Sequence, residues 1–287
     1  MARNKEIRRR IKSVDNTRKI TRTMQMVATS RMMRALERLN GARPFTRKLR
    51  DVMAQLAAAA PEAHPLLQPR TPVRSTAIFL VTANRGLCGG FNTNLVKRAR
   101  EVLAEEEQAS RPFVLHMAGK KGFQAFKFAG VEPASVHLDV TERPRYEDAV
   151  RLSRMLIDAY QKGEVDRIVL IHADYRNALS QPPTVVEFLP IPRPQAGPEH
   201  REVDYLFHPS REELVRQMVP LYLENLVYQA LVESAASEQV ARRNAMKSAT
   251  ENAEELVGSL TRAYNKARQA QITNEIAEIV GGAAALK

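Results

Sequence analysis

The two ends of this chain are nearly free of helix breakers, while the stretch between them is full of them, and that contrast limits the possible folds more than any other feature. Residues 3 to about 58 read as one helix, with Gly41 and Pro44 the exceptions. Apolar residues recur at steps of three and four: Ile7, Ile11 and Val14, then Ala28, Met32, Ala35 and Leu39. That spacing is a coiled-coil seam. Between the two runs the seam meets Arg18, Thr21 and Gln25. Three polar residues in succession mean either a locally weak pairing or a helix that faces something other than its partner. A proline inside a helix removes one hydrogen bond and clashes, at about 3 kcal/mol. With Gly41 close by, a kink near 41–44 is expected.

The C-terminal stretch mirrors the first. Residues 210–280 read as helix, with no proline after Pro220 and only Gly258 before Gly281. Its apolar positions include Leu221, Leu226, Val232, Ala235, Val240, Met246, Val257, Leu260, Ala263 and Ala267. About sixty helical residues span roughly 90 Å, whereas a single domain of this size should be far more compact, with a gyration radius of about 19 Å. Helices of such length are held by each other or by other chains.

The middle has a different texture. Prolines at 61, 65, 69 and 72 end the first helix. Thr76–Thr82 is a short apolar, β-branched run that reads as a buried strand. Residues 94–108 read as a helix, 112–117 as a strand, 120–128 as a short helix and 131–140 as a weak strand or loop. A helix follows at 147–162, then strands at 165–172 and 184–189. Alternation of this kind implies an open α/β sheet. Six prolines within 182–198 suggest an exposed exit loop. The expected fold is an α/β insert on a long antiparallel α-helical coiled coil formed by the N- and C-terminal helices. Its segments are 1–60 as N-terminal shaft helix, 61–209 as a Rossmann-like α/β domain, and 210–287 as C-terminal shaft helix.

Charge narrows the function. The net charge of +12 lies entirely in residues 1–50, which hold 16 Lys+Arg against 3 Asp+Glu; the remainder holds 28 against 29. A basic stretch of this kind suits nucleic acid, anionic lipid or an acidic protein surface. One cysteine excludes a disulfide framework and a multi-cysteine zinc site. No apolar run approaches the ~20 residues that a transmembrane helix needs. The start, Met-Ala-Arg-Asn-Lys-Glu, lacks an apolar signal core, which argues against export.

Enzyme signatures are missing. There is no G-x-x-x-x-G-K-[ST] and no G-x-G-x-x-G. Arg85–Gly90 (RGLCGG) follows a strand and precedes a helix, where a phosphate cradle would sit, but it has neither the spacing nor the lysine, and reads better as a tight turn. The six histidines include no pair at i, i+3 or i, i+4. Cys88 sits near Arg85 and could be a reactive thiol, but a small residue in a tight turn explains it more simply. No catalytic, cofactor or metal residue is assigned.

Four segments carry a more specific signal: Lys19–Met33 (KITRTMQMVATSRMM), Arg85–Asn92 (RGLCGGFN), Ser237–Ala253 (SEQVARRNAMKSATENA) and Tyr264–Ala284 (YNKARQAQITNEIAEIVGGAA). They resemble the gamma subunit family of F-type ATP synthases, and the similarity runs over essentially the whole chain. One departure is Asn84, where the family usually carries Asp before R-G-L-C-G-G. The cysteine-bearing insertion of chloroplast relatives is absent, and no transit peptide precedes Met1, so a bacterial protein is expected.

The resemblance implies a rotor. The paired terminal helices would pass up the centre of a hexamer of alpha and beta subunits, and the α/β domain would meet the epsilon subunit and the c-ring. Proton flow would turn the shaft and drive the beta sites, and the chain would perform no chemistry itself. It would lie at the cytoplasmic face of the bacterial plasma (inner) membrane, peripherally, through the complex only. Arg9, Arg10, Lys19, Arg22, Arg31 and Arg34 become candidate charges opposite acidic beta levers, with Met24 beside them. Arg268, Gln269, Thr273 and Glu275 match positions engaging the beta catch loop, Cys88 marks the turn near the lower beta levers, and Tyr205 falls in the epsilon or c-ring contact region. The polar break at 18–25 becomes intelligible if that face touches a sleeve of other subunits. Two rivals remain: a nucleic-acid binder using the basic arm, marked by salt-sensitive duplex binding, and an enzyme on the α/β insert, marked by nucleotide binding to the isolated chain. The expected partner list excludes nucleic acid.

Overall fold

A computed structural model describes residues 2–59, 62, 64–192 and 210–285. Helix α1 is Ala2–Ala59. A 3-10 turn, Pro65–Leu67, leads to β1 (Thr76–Val81), α2 (Phe91–Gln108), β2 (Phe113–Ala118), α3 (Lys120–Phe128), β3 (Ser135–His137), α4 (Tyr146–Gln161), β4 (Arg167–Ala173) and β5 (Pro183–Leu189). Helix α5 is Arg211–Ala285. No helix of the described residues is long and apolar enough to cross a membrane. The chain is a mixed α/β insert between two long helices that pair antiparallel. Contacts group it into two compact units, Ser30–Ala241 and the described parts of Met1–Thr29 with Arg242–Lys287.

In the Ser30–Ala241 unit the sheet order is β3-β2-β1-β4-β5, parallel except for the antiparallel β4–β5 pair. All six positions of β1 are buried, which is why its sequence is an unbroken apolar run rather than an alternating one. Ile78 and Leu80 point into a core with α2 and α3. Ala77, Phe79 and Val81 point into the opposite core, with α4. That second core also takes Leu49, Met53 and Leu56 from α1, and Val215, Val219 and Leu223 from α5. Both terminal helices therefore supply a wall of the insert's own core. Farther along, Ala35 and Leu39 of α1 pack on Ala236 and Val232 of α5, in reversed order, as antiparallel helices must.

Helix α1 is continuous through Gly41 and Pro44, as its reading as one helix expects. Pro44 and Asn40, whose carbonyl loses its usual donor, are both exposed, so water can take the lost bond's place. One expectation needs correction. The proline-rich 182–198 stretch is not all exposed loop: Pro183 opens β5, and Ile191 is buried and donates its N–H to the Leu66 carbonyl at 3.0 Å. Residues 193–198 of it lie outside the described residues.

Polar groups fix the helices against the sheet. Ser234 of α5 accepts from the Ala173 N–H at 3.2 Å, and Ser237 donates to the Ala173 carbonyl at 3.5 Å, clipping the end of β4. Thr46 donates to Asn225 at 2.8 Å, both buried. Arg43 bonds the Tyr175 carbonyl and lies over its ring at 5.6 Å. Nearby, a cavity of about 230 Å³ is lined by His172, Gln229 and Glu233. Burial pushes the Glu233 carboxyl up, against the lowering effect of a Gln229 hydrogen bond. Burial pushes His172 down, so it faces Glu233 at 3.8 Å as a neutral ring and not as half of an ion pair.

At the far end of the sheet, Glu106 is buried and accepts from Thr76 at 2.8 Å, from Arg111 at 2.8 and 3.1 Å, and from Arg167 at 3.4 Å. Its carboxylate ties β1, α2 and β4 together. Glu106→Ala strands Arg111 and Thr76, while Arg167 keeps Glu187 at 3.2 Å. Because both arginines retain about a third of their exposure, we expect a loss near the low end of the buried-pair range, about 2–3 kcal/mol, read from urea unfolding. Glu233→Gln should do the opposite at neutral pH. Folding disfavours the ionised carboxylate, so the contribution of this one group to stability is fully present below the ordinary value of 4.5 and is lost as pH rises through the raised folded value. The variant should be the more stable at pH 7, and the difference should close below about pH 4.5, as seen in thermal midpoints across pH.

Candidate functional site

The second unit contains most of the residues picked out from sequence. Its two helical stretches run antiparallel: Asn4 bonds Gln271, Arg18 meets Glu254 at 3.4 Å, and Thr21 meets Thr250 at 2.8 Å. Inward positions of α1 here are Asn4, Ile7, Ile11, Val14, Arg18, Thr21, Gln25 and Ala28, all half-buried or buried. On α5 they are Ala253, Val257, Leu260, Tyr264, Ala267 and Gln271. The three- and four-residue rhythm read from the sequence is therefore the packing seam.

The polar break at Arg18–Gln25 lies inside that seam and does not face away from it. Thr21 is buried and donates to the Arg18 carbonyl at 3.0 Å, while Thr250 donates to Thr21. Arg18 also forks onto Asp15 at 2.8 and 3.1 Å. These polar residues pair the two helices with each other. Small, hydrogen-bonded residues allow close approach and define register, as buried polar seam residues do.

The outer face carries the candidate charges. Arg9, Arg10, Lys19 and Arg22 are exposed. Arg10 pairs with Glu6 at 2.7 Å and Lys19 with Asp15 at 2.9 Å, one helical turn apart. The Lys19 hydrogen bond, with help from Arg18, holds the Asp15 carboxyl below its usual value. Arg9 and Arg22 form no ion pair among the described residues. Met24 is half-buried, between the exposed Ile20 (60%) and Val27 (48%) on one line of the helix.

At the other end of the unit, Arg268, Gln269, Thr273 and Glu275 are all exposed. Glu275 accepts from Gln271 at 2.7 Å, and Thr273 bonds back to the Gln269 carbonyl at 3.0 Å. From Ile272 to Gly281 every position is exposed. Ile272, Ile276, Ile279 (72%) and Val280 form an apolar stripe among the polar candidates. Sequence reading missed this stripe and its smaller counterpart, Ile20 and Val27. A signal was present: continuing the seam past Gln271 lands on Asn274 and Glu278, while the isoleucines fall off it. A helix whose seam turns polar while its apolar residues move to another face has changed what it packs against.

The remaining candidates belong to the insert or lie outside the described residues. Cys88 is buried, and its sulfur accepts from Asn92 at 3.1 Å. Its thiol is turned inward, and the exposed apolar group of that turn is Leu87, at φ 61°. Asn92 also accepts from the Ala83 N–H, and Asn84 accepts from the Lys120 N–H at 3.0 Å while donating to the Leu138 carbonyl at 2.7 Å. These internal bonds fill the turn at the head of β1 as a structural corner. A carboxylate at position 84 could make the first Asn84 bond but not the second. The 119–122 glycines serve the same corner: a Cβ on Gly119 would meet the Thr82 carbonyl oxygen at 2.1 Å. Tyr205 lies outside the described residues. No group of three or more His, Cys, Asp or Glu suited to a metal occurs among the described residues.

Comparison with known proteins agrees with this geometry. A family model described as ATP synthase matches residues 3–286. The ATP synthase gamma chain of Gemmatimonas aurantiaca is 44% identical over 292 residues and that of Desulforamulus reducens 42% over 288, each alignment covering all of both chains. Among solved structures, a chain of the Euglena gracilis mitochondrial ATP synthase, solved as OSCP/F1/c-ring in rotational state 3, aligns with TM-score 0.69. That alignment has 20% identity and covers 99% of this chain and 95% of that one. A chain of the Tetrahymena thermophila mitochondrial ATP synthase central stalk and c-ring aligns with TM-score 0.60 and 24% identity, covering 80% of this chain and 99% of that one. With the antiparallel helices, the α/β insert and full-length identity above 40% all in agreement, the chain belongs to the ATP synthase gamma chain family.

Proposed function

We propose that this chain is the central rotor shaft of a proton-translocating F-type ATP synthase, passing rotation of a c-ring to the catalytic beta subunits without doing chemistry itself. One observation carries the reading. Residues 272–281 of α5 are exposed throughout and display Ile272, Ile276, Ile279 and Val280, so this stretch of the helix needs a sheath from other chains. A hexamer of alpha and beta subunits is that sheath in this reading. Arg268, Gln269, Thr273 and Glu275 would engage the beta catch loop there. Arg9, Arg10, Lys19 and Arg22 would face acidic beta levers, with Met24 beside them. The Cys88 turn would approach the lower levers through Leu87, and Tyr205 would serve the epsilon or c-ring contact. Membrane association would come only through the complex, at the cytoplasmic face of the bacterial inner membrane.

Exposed charge pairs are worth about 0–1 kcal/mol each, so such contacts can be broken and remade in every turn. The seam beneath is held by buried hydroxyls and an ion pair, so the pair of helices keeps its register while its outer face changes partners. Torque needs that asymmetry between a fixed interior and a weakly held exterior.

The test is reconstitution of the full chain with alpha, beta and epsilon subunits from the same organism, with a probe on the insert followed during ATP hydrolysis. Stepwise rotation is expected. A hexamer whose hydrolysis ignores the chain, or a chain that never joins it, would refute the proposal. Arg268→Leu should cut assembly or ATP-driven proton pumping by about two- to fivefold, the scale of one exposed polar contact. Met24→Lys should leave assembly intact and lower the protons pumped per ATP hydrolysed. Unchanged pumping in both variants would remove these residues from the coupling surface.

A further inference from the structure

A concave cleft of about 460 Å³ lies in the Ser30–Ala241 unit, between α1, α5 and the segment that leads into α4. Arg31, Arg34 and Arg38 of α1 line it on one helical face, and Arg143 closes it from the segment before α4. Its acids are Glu37 and Glu142, and Glu142 is already held by Arg85 at 3.0 Å. None of the four arginines forms an ion pair among the described residues. Arg34 and Arg38 reach only their own helix, at 3.3–3.4 Å.

The α5 wall of the cleft adds a polar amide. Gln239 of α5 lines it and is 6% exposed, and its side-chain oxygen is buried with no hydrogen-bond partner. A buried acceptor left unpaired costs roughly 1–3 kcal/mol, and it is the NH2 of this amide, not its oxygen, that could serve an anion in the cleft. An amide can turn to present its NH2 to such a group.

The lining also selects the ligand's chemistry. Besides the charged residues and Gln239, it offers only Ala35 and Ala235. A peptide would find no large apolar side chain to pack against. An oligophosphate needs none: guanidinium forks match phosphate oxygens two by two, and several converging forks neutralise several charges. The volume falls within the range of small-molecule pockets, about 300–1,000 Å³. We propose that this cleft is a binding site for a small oligophosphate anion, held by Arg31, Arg34, Arg38 and Arg143 with Gln239 completing the wall.

Calorimetry on the full chain with pyrophosphate as probe tests this, with a decaglutamate peptide titrated in parallel. Saturable pyrophosphate binding is expected, weakening as salt rises. Arg38→Gln and Arg143→Gln should each weaken it about tenfold, the worth of one charge-assisted contact. Lys97→Gln on exposed α2 should leave it unchanged, and unchanged thermal midpoints would exclude misfolding. Absence of pyrophosphate binding at millimolar concentration overturns the proposal. So does equal binding by the cleft variants, or decaglutamate binding that depends on the cleft arginines while pyrophosphate binding does not. The last outcome would make the cleft an acidic-protein surface. Because the isolated chain is used, the result is independent of whether the chain turns in a hexamer.

Discussion

A single shared core holds the insert and the two long helices together. Phe79 at the centre of the sheet lies in the same cluster as Leu49, Met53 and Leu56 from α1 and Val215, Val219 and Leu223 from α5. Removing either helix would open that core to water at roughly 1.5–3 kcal/mol for each large side chain exposed. Most helical stability in proteins comes from tertiary packing, and here each helix obtains a foundation that propensity alone would not supply. The insert also solves a chain-entropy problem. Ala35 and Val232 pack in one cluster although almost 200 residues separate them, and a folded domain between them brings the ends together without a floppy loop.

On that foundation the division between interior and exterior acquires functional meaning. Thr21, Thr250, Arg18 and Glu254 spend their polarity on each other, so the seam has a register that a purely apolar stripe would leave free to slide. Lys19 and Arg10 spend theirs on neighbours one turn away, and Arg9 and Arg22 stay open to solvent. A surface of separate charges and single apolar side chains suits contacts that exchange. Close-packed aromatic contacts would lock the helix in one orientation.

Much of this was legible in the residues themselves. The three- and four-residue rhythm of α1 located its inner face, because a coiled-coil seam has no other period. The unbroken Thr76–Val81 run identified the central strand, because a strand covered on both faces cannot alternate. For the Arg18–Gln25 break the residues leave two readings open, a weak pairing or a face turned elsewhere, since sequence shows that a residue is polar but not that a matching hydroxyl waits opposite. Cys88 reads from sequence as a small residue in a tight turn, and it is buried there with Asn92 donating to its sulfur. The isoleucine stripe at 272–280 could have been found by following the seam past Gln271, where the inward positions become Asn274 and Glu278.

The sequence alone determined the local periods, the helix–insert–helix order, the location of the positive charge and the family resemblance, because these depend on spacing and identity along the chain. Tertiary structure decided which polar residues are paired and which are free, that both terminal helices wall the insert's core, and that four arginines from two distant segments line one cleft. Those are properties of convergence between residues far apart in sequence. No local pattern encodes which distant partner will be close enough to accept a hydrogen bond or neutralise a charge.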